Sequence, residues 1–583
     1  MRENGVNGIA KAASRVFAAG WRRLPEKANS FLMAALLAAA AGLSAVAFMF
    51  MTNLLFARTF GLLAAGPRPL FIAGSLIVIL VTSLIVGLLL NVFAPEAAGS
   101  GIPQMKADYW TELGYTPLKS VLVKFVAGFI SIGGGTSLGR EGPSVFIGSG
   151  TASNLAGFLG AGRRERRGPA IAGASAGLAA AFNSPLAAIT FAIEEISGEL
   201  NNRFLGGVVL ASVLGAFVVH ALLGRQPAFS LPPVEHISWL QYAVVPLVAF
   251  VASLAGVAFQ RGALALRGRV AERRGMPGWL MPVLGGLTTW LLGVSVFLWT
   301  GKLGVFGLGY QDLSAALRNG FPWKVAGVIL VAKLLATAAS YGFGGCGGIF
   351  APTLFIGGMA GCFIGGLAGN WIPLTPDDHI VLAVVGMSAC LGAVVRAPLT
   401  SILIVFEMTH QFSLVPGLLL GTFISQGTAR LAGRLNFYDA LLVQDGHALH
   451  RVRPPKDLTG WRNLPVQAIA SPSPVVLTDL SRQAMSEAVR KYPYNVFPVV
   501  IDGRLEGLLS RKSIMDSLRS ATYSPPELQR AVTCFPAQTV SEVGDKFLET
   551  PVNVLVLVDP TDSSIMGIIT MHDLIRAQAA MAE

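Results

Sequence analysis

Gly133 to Gly150 reads GGGTSLGREGPSVFIGSG, a glycine-rich stretch that lies inside a strongly apolar region yet carries Arg140 and Glu141. A carboxylate at membrane depth is costly and is usually functional. Gly139, Gly142 and the run Gly133 to Gly135 let backbone approach other backbone, or an ion, closely. Pro143 suits the first turn of a helix, where no N–H is needed, and Ser144 to Leu155 can continue that helix. The pattern predicts a broken membrane segment whose helix N-terminus points inward with free amide hydrogens, an arrangement that attracts anions. Glu141 stands at that end like a built-in anion. An ion pair with Arg140 is a poor alternative, because adjacent helical residues do not face each other.

The same design occurs twice. Residues 139–148 read GREGPSVFIG and residues 348–357 read GIFAPTLFIG, sharing Gly, Pro, Ser or Thr, Phe, Ile and Gly in register. A second pair follows in the same order: GASAGLAAAFNSPLAAITFAIEE from Gly173 to Glu195, against GMSACLGAVVRAPLTSILIVFEM from Gly386 to Met408. Here Ser175 matches Ser388, Pro185 matches Pro398 and Glu194 matches Glu407. Duplicated membrane halves with Gly/Pro-interrupted segments at corresponding positions point to a transport site near the midplane. Glu141 and Phe350 then become pseudo-symmetric partners, one a titratable anion and the other an apolar plug. Glu194 and Glu407 share a structural role, hydrogen bonding to backbone at a helix end. Glu195 has no twin, since Met408 stands opposite.

Gly99-Ser100-Gly101-Ile102-Pro103, Gly139-Arg140-Glu141-Gly142-Pro143 and Gly348-Ile349-Phe350-Ala351-Pro352 resemble, in order, the three signature motifs of the CLC chloride channel and transporter family. The resemblance runs from about Phe31 to the C-terminus. It implies a mainly α polytopic membrane protein of two inverted halves, built from tilted and broken helices, and a homodimer with one pore per subunit. It also implies chloride as the substrate. In the family, the serine matching Ser100 contacts chloride, as do the backbone amides matching Ile349 and Phe350 and the phenol matching Tyr438. Glu141 resembles the gate, whose carboxylate competes with chloride until it is protonated. Glu195 resembles the internal proton-transfer residue of the exchangers, where many channel members carry an apolar residue. A chloride/proton antiporter is therefore expected, with a passive channel on the same scaffold as the alternative. Relatives that prefer nitrate tend to carry proline in place of Ser100, so chloride is favoured here. Gln104 replaces a glutamate common in relatives.

Composition sets the same class independently. With 53% hydrophobic and 13% charged residues and a mean hydropathy of +0.60, an ordinary soluble chain is excluded. The net charge of +12 is read as the bias of basic residues in loops flanking apolar stretches rather than as a nucleic-acid surface. Cys346, Cys362, Cys390 and Cys534 are too few and scattered for a disulfide framework or a zinc site. No catalytic triad, metal cluster or phosphate loop is evident, so neither enzyme activity nor a metal is expected. The expected organisation is an interfacial N-terminal helix (1–28), a first membrane half (29–222), a second membrane half (223–445), a proline-bearing linker (446–464) and a cytoplasmic α/β region. The setting is a bacterial inner membrane.

Beyond about Val443 the composition turns soluble. Asn495 to Ile501, Leu505 to Leu509 and Arg511 to Arg519 read as strand, strand and helix. Val552 to Val558, Ile565 to Thr570 and His572 to Ala577 repeat that order. The two units, expected at 465–522 and 523–583, resemble a CBS-domain pair, and Gly567 to Asp573 fits the typical end of one. By resemblance Thr570 and Asp573 hold a ribose and Tyr494 stacks on a base of ATP, ADP or AMP. The first unit has Ser510 and Ser513 there and lacks the aspartate, which leaves open a packing module with no cofactor. A third reading, a nucleotide sensor on a non-transporting membrane anchor, is disfavoured because an anchor has no need of Ser100, Glu141, Phe350 and Tyr438 together.

Overall fold

The computed structural model describes residues 26–198, 204–224, 231–234, 238–272, 276–318, 321–447, 464–472, 474–520, 523–549 and 553–580. The expected interfacial helix falls almost entirely outside the described residues, as does most of the expected linker. The chain divides into two compact units, 1–454 and 455–583.

Setting aside single-turn pieces, the described residues of the first unit form two successive runs of eight helices. The first run is α1 (Glu26–Phe56), α2 (Arg68–Phe93), α3 (Ile102–Thr111), α4 (Leu118–Gly133), α5 (Glu141–Phe158), α6 (Arg167–Phe182), α7 (Pro185–Phe191) and α8 (Leu205–Leu223). The second is α9 (Gln241–Glu272), α10 (Met281–Thr300), α11 (Tyr310–Leu317), α12 (Trp323–Gly342), α13 (Phe350–Ala368), α14 (Pro376–Val395), α15 (Pro398–Thr409) and α16 (Val415–Ala432). A last helix, α17 (Phe437–Gln444), closes the unit. Nine segments among the described residues are long and apolar enough to cross a membrane. The helices α3 and α11, of 10 and 8 residues, are too short to cross ~30 Å of hydrocarbon. Each therefore ends inside.

Local chemistry explains where the helices stop and how close they pack. Without a hydrophobic force between helices in lipid, small residues at the contact gain dispersion energy by bringing backbones together. A Cβ on Gly173 of α6 would lie 2.4 Å from the Gly148 carbonyl oxygen of α5, and one on Gly386 of α14 would lie 2.2 Å from that of Gly357 in α13. Helices α6 and α14 both end on a left-handed residue, Asn183 at φ 56° and Arg396 at φ 60°, and the next helix begins at Pro185 or Pro398.

Reciprocal contacts relate the halves by a pseudo-two-fold axis. The Gly139 amide donates to Gly348 O at 2.7 Å, and the Gly348 amide donates back to Gly139 O at 2.6 Å. The Glu194 carboxylate accepts from the amides of Leu399 (3.1 Å) and Thr400 (2.8 Å) at the start of α15. Glu407 accepts from Leu186 (3.0 Å) and Ala187 (2.8 Å) at the start of α7. Contacts that return in kind in this way are the mark of a two-fold relation. Both acids satisfy amides that have no carbonyl a turn behind them.

The second unit holds six strands among the described residues: β1 (Ser471–Pro472), β2 (Val496–Ile501), β3 (Arg504–Ser510), β4 (Thr533–Cys534), β5 (Val554–Val558) and β6 (Ile565–Thr570). Strands β2 and β3 form one antiparallel pair, and the other sheet runs β1-β6-β5-β4. Helix α19 (Arg511–Arg519) follows β3, and α21 (Met571–Ala580) follows β6; α18 (Arg482–Lys491) and α20 (Val540–Glu549) precede the two strand pairs. Because β1 pairs with β6, residues ahead of the first strand pair join the sheet of the second. Leu508, Val556 and Val558 form one buried cluster across the two sheets.

Candidate functional site

The starts of α5 and α13 are drawn together by the Gly139–Gly348 bonds, and the loop ahead of α3 is tied to the same place. Gly99 N donates to Gly345 O and Gly347 N donates to Gly99 O, each at 3.0 Å. Closeness here requires glycine: a Cβ on Gly142 would meet Ser100 Oγ at 2.2 Å and Gly348 Cα at 3.2 Å. Gly101 turns the chain into α3 at φ 89°, a left-handed conformation that side chains disfavour. Four of the expected residues, Ser100, Glu141, Ile349 and Phe350, are thereby fully buried around one point.

Glu141 is the first residue of α5, and its carboxylate reaches the other half. Oε2 accepts from the Ala351 amide of α13 at 3.3 Å, and Oε1 accepts from the Tyr310 phenol of α11 at 2.8 Å. Arg140 forms no part of that clasp. It donates to Asn53 Oδ1 and Ala181 O, both at 3.4 Å, and its guanidinium lies 5.5 Å from the centre of the Tyr310 ring. Among the described residues the Ser100 hydroxyl and the Tyr438 phenol are both buried and neither has a hydrogen-bond partner. Tyr438 stacks on Phe350 with ring centres 6.4 Å apart, and Phe182 and Phe191 pack on the same Phe350 ring. Buried hydroxyls normally find partners. Two that do not, beside the first amides of α13, form a neutral donor set of the kind that can replace an anion's hydration shell without trapping the ion.

Glu195 lies on a π-helical turn, Ala192–Ser197, that continues α7. It is only 4% exposed, so it is not a solvated charge at a helix end. Lys106 Nζ of α3 donates to Glu195 Oε1 at 2.9 Å and to Asp439 Oδ1 of α17 at 3.1 Å. Asn436 Nδ2 donates to Glu195 Oε2 at 3.1 Å. Burial of such a charge is tolerable only with partners of this kind. Gln104, two residues ahead of Lys106, keeps its side-chain oxygen buried and unpaired.

Five side chains of the site were not anticipated from the sequence: Tyr310, Lys106, Asp439, Lys124 and Lys333. Lys124 and Lys333 had a signal, since they stand at equal distances in sequence ahead of Glu141 and Phe350. Lys124 donates to Ala97 O (2.8 Å) and Gly99 O (2.7 Å), and Lys333 donates to Val305 O (3.2 Å) and Gly307 O (2.7 Å). Their ammonium groups also face equivalent rings, Phe146 at 5.7 Å and Phe355 at 5.3 Å. Each lysine thus pins the loop that leads into a short helix, α3 in one half and α11 in the other.

In the second unit, Thr570 and Asp573 bond one another: Thr570 Oγ1 donates to Asp573 Oδ2 at 2.7 Å, and Asp573 N donates to Thr570 Oγ1 at 3.3 Å. The pair caps α21. Ser510 and Ser513 share a 2.7 Å hydrogen bond at the start of α19. Tyr494 is half exposed and stacks on Tyr492, with ring centres 6.0 Å apart. Among the described residues no group of His, Cys, Asp and Glu is arranged to hold a metal.

Comparison with known proteins bears on this geometry. Residues 82–430 match the family model "Voltage gated chloride channel", and residues 528–580 match "CBS domain". The chain is 31% identical over 365 residues to the H(+)/Cl(-) exchange transporter ClcA of Vibrio campbellii, covering 61% of this chain and 76% of that one. It is also 31% identical over 332 residues to the voltage-gated ClC-type chloride channel ClcB of Salmonella typhimurium, covering 56% and 78%. Among solved structures, a slow cyanobacterial Cl−/H+ antiporter superposes with a TM-score of 0.63 at 25% identity, covering 71% of this chain and 97% of that one. A eukaryotic CLC transporter shares the fold at 20% identity, with a TM-score of 0.60 and coverage of 93% and 97%. The chain is an integral membrane protein of the voltage-gated chloride channel family, the CLC chloride transporters, and carries a CBS region behind its membrane unit.

Proposed function

We propose that the protein is a chloride/proton antiporter gated by Glu141. The observation that carries this reading is the clasp of the Glu141 carboxylate by Ala351 N and Tyr310 Oη, at the place where helix starts from both halves converge. Chloride is coordinated by Ser100 Oγ, Tyr438 Oη and the amides of Ile349 and Phe350, and the ionised carboxylate is its rival for that positive region. Protonation removes the rival charge and frees the path. Glu195 hands protons to and from the inner side; its burial beside Lys106 and Asn436 supports a role beyond a surface charge. Relatives of equal identity are named exchanger and channel, so the preference for coupling rests on the buried Glu195 and on the likeness to a solved antiporter.

The remaining assignments rest on family likeness. The membrane unit divides into halves 29–222 and 223–445, the protein pairs as a homodimer in a bacterial inner membrane, and the region from 465 onward faces the cytoplasm as two CBS motifs. Adenine nucleotide at Tyr494, Thr570 and Asp573 would modulate transport. Calorimetry of the full-length protein with ATP, ADP and AMP tests that last point.

The decisive experiment is reconstitution in vesicles with a chloride gradient and a pH dye. Native protein drives protons uphill as chloride runs down. Glu195→Gln keeps chloride flux but loses proton movement. Chloride flux in the native protein without uphill protons would identify a passive channel instead.

A further inference from the structure

The two short helices α3 and α11 begin at equivalent places, each behind a left-handed glycine, Gly101 at φ 89° and Gly309 at φ 77°. Each is preceded by a loop whose carbonyls are held by a buried lysine. At the first helical position the halves differ. Helix α3 begins with the fully buried, apolar Ile102, whereas α11 begins with Tyr310, whose phenol bonds Glu141.

We propose that Tyr310 is a positioning residue of the gate, a latch that holds the ionised Glu141 carboxylate in its closed place and lets it go on protonation. The inference rests on Glu141 being the gate. Three features of the structure carry it. The 2.8 Å bond is made by a neutral donor to one carboxylate oxygen, while Ala351 N holds the other. The phenol cannot wander, because Gly309 is packed so tightly that a Cβ there would meet Gly304 O at 2.6 Å and Phe355 Cδ2 at 2.8 Å, while Lys333 grips the loop behind it. Finally, the two residues beside Glu141, Tyr310 through its bond and Arg140 in sequence, both line a cavity of about 590 Å³ whose wall includes Thr52, Asn53 and Asp312.

The bond is sensitive to charge. A hydrogen bond to a carboxylate is roughly twice as strong as one to a neutral carboxyl, so gaining a proton weakens the latch. The other ionisable groups facing Glu141 are Arg140, beside it in sequence, and Tyr438, across the site; a phenylalanine at position 310 keeps the ring that Arg140 faces.

Tyr310→Phe removes only the hydroxyl. Losing a donor to the ionised form disfavours that form, so Glu141 takes up its proton at higher pH and the path opens at higher pH. In vesicles, the midpoint of the rise in chloride flux on acidification should move up by about one pH unit, the equivalent of one charge-assisted hydrogen bond. In a Glu141→Gln background the same substitution should produce no shift, because no carboxylate remains to be latched. A native midpoint in Tyr310→Phe, or a shift that persists with Glu141→Gln, overturns the latch. If Glu141→Gln itself keeps the native pH dependence, the gate reading falls, and the latch falls with it.

Discussion

The two halves of the membrane unit share a scaffold and differ in chemistry. Matched positions that hold backbone are duplicated: Lys124 and Lys333 on loop carbonyls, Glu194 and Glu407 on helix-start amides, Gly148 and Gly357 against Gly173 and Gly386. Positions that face the converging helix starts are not duplicated. Glu141 meets Phe350, and Glu195 is matched by Met408. Ile102 and Tyr310 begin the paired short helices. Duplication therefore preserved what closes the fold, while the groups proposed to handle ions were free to diverge. Each half supplies what the other lacks.

That contrast can be attacked where it is most unequal. The largest stability effect is expected at Lys106, which has Glu195 and Asp439 as partners. Lys106→Met strands two buried carboxylates and should cost about 3–5 kcal/mol, read as a lowered unfolding midpoint in detergent. Because those acids can then take up protons, the loss should shrink as the pH is lowered. A midpoint equal to native would mean that the cluster is idle. Next come the paired lysines: Lys124→Met and Lys333→Met each leave loop carbonyls unmet, at about 1–3 kcal/mol apiece. Comparable unfolding shifts would sharpen the view of a duplicated scaffold, and a large shift in one half alone would break it. The smallest effect belongs to the acids across the pseudo-axis. Glu194→Gln and Glu407→Gln keep an acceptor but lose the charge opposite a helix start, about 0.5–1 kcal/mol each in chemical denaturation.

Much of this arrangement was legible in the sequence because it is local. The register of GREGPSVFIG with GIFAPTLFIG located the helix starts at Glu141 and Phe350. The equivalence of Glu194 and Glu407 indicated backbone bonding at helix ends. It did not indicate that each acid crosses to the other half, some 205 to 221 residues away. The partners of Lys106 lie 89 and 333 residues from it, and nothing local to α3 announces them. Tyr310 was silent for a similar reason. Gly-Leu-Gly-Tyr reads as an ordinary turn, and only the fold carries that ring 169 residues back in sequence to Glu141. Periodicity and turn chemistry report what a residue does to its own element, whereas buried charge pairing is a property of distant chain segments.

The mutual pair of backbone bonds between Gly139 and Gly348 has a mechanical consequence. It is a seam sewn where the helix starts of the two halves converge, so the halves cannot part there without tearing both stitches. Under the antiporter reading proposed above, exchange of access at this spot then falls to side chains swinging within that frame. A crosslink that locks the frame elsewhere should leave turnover intact.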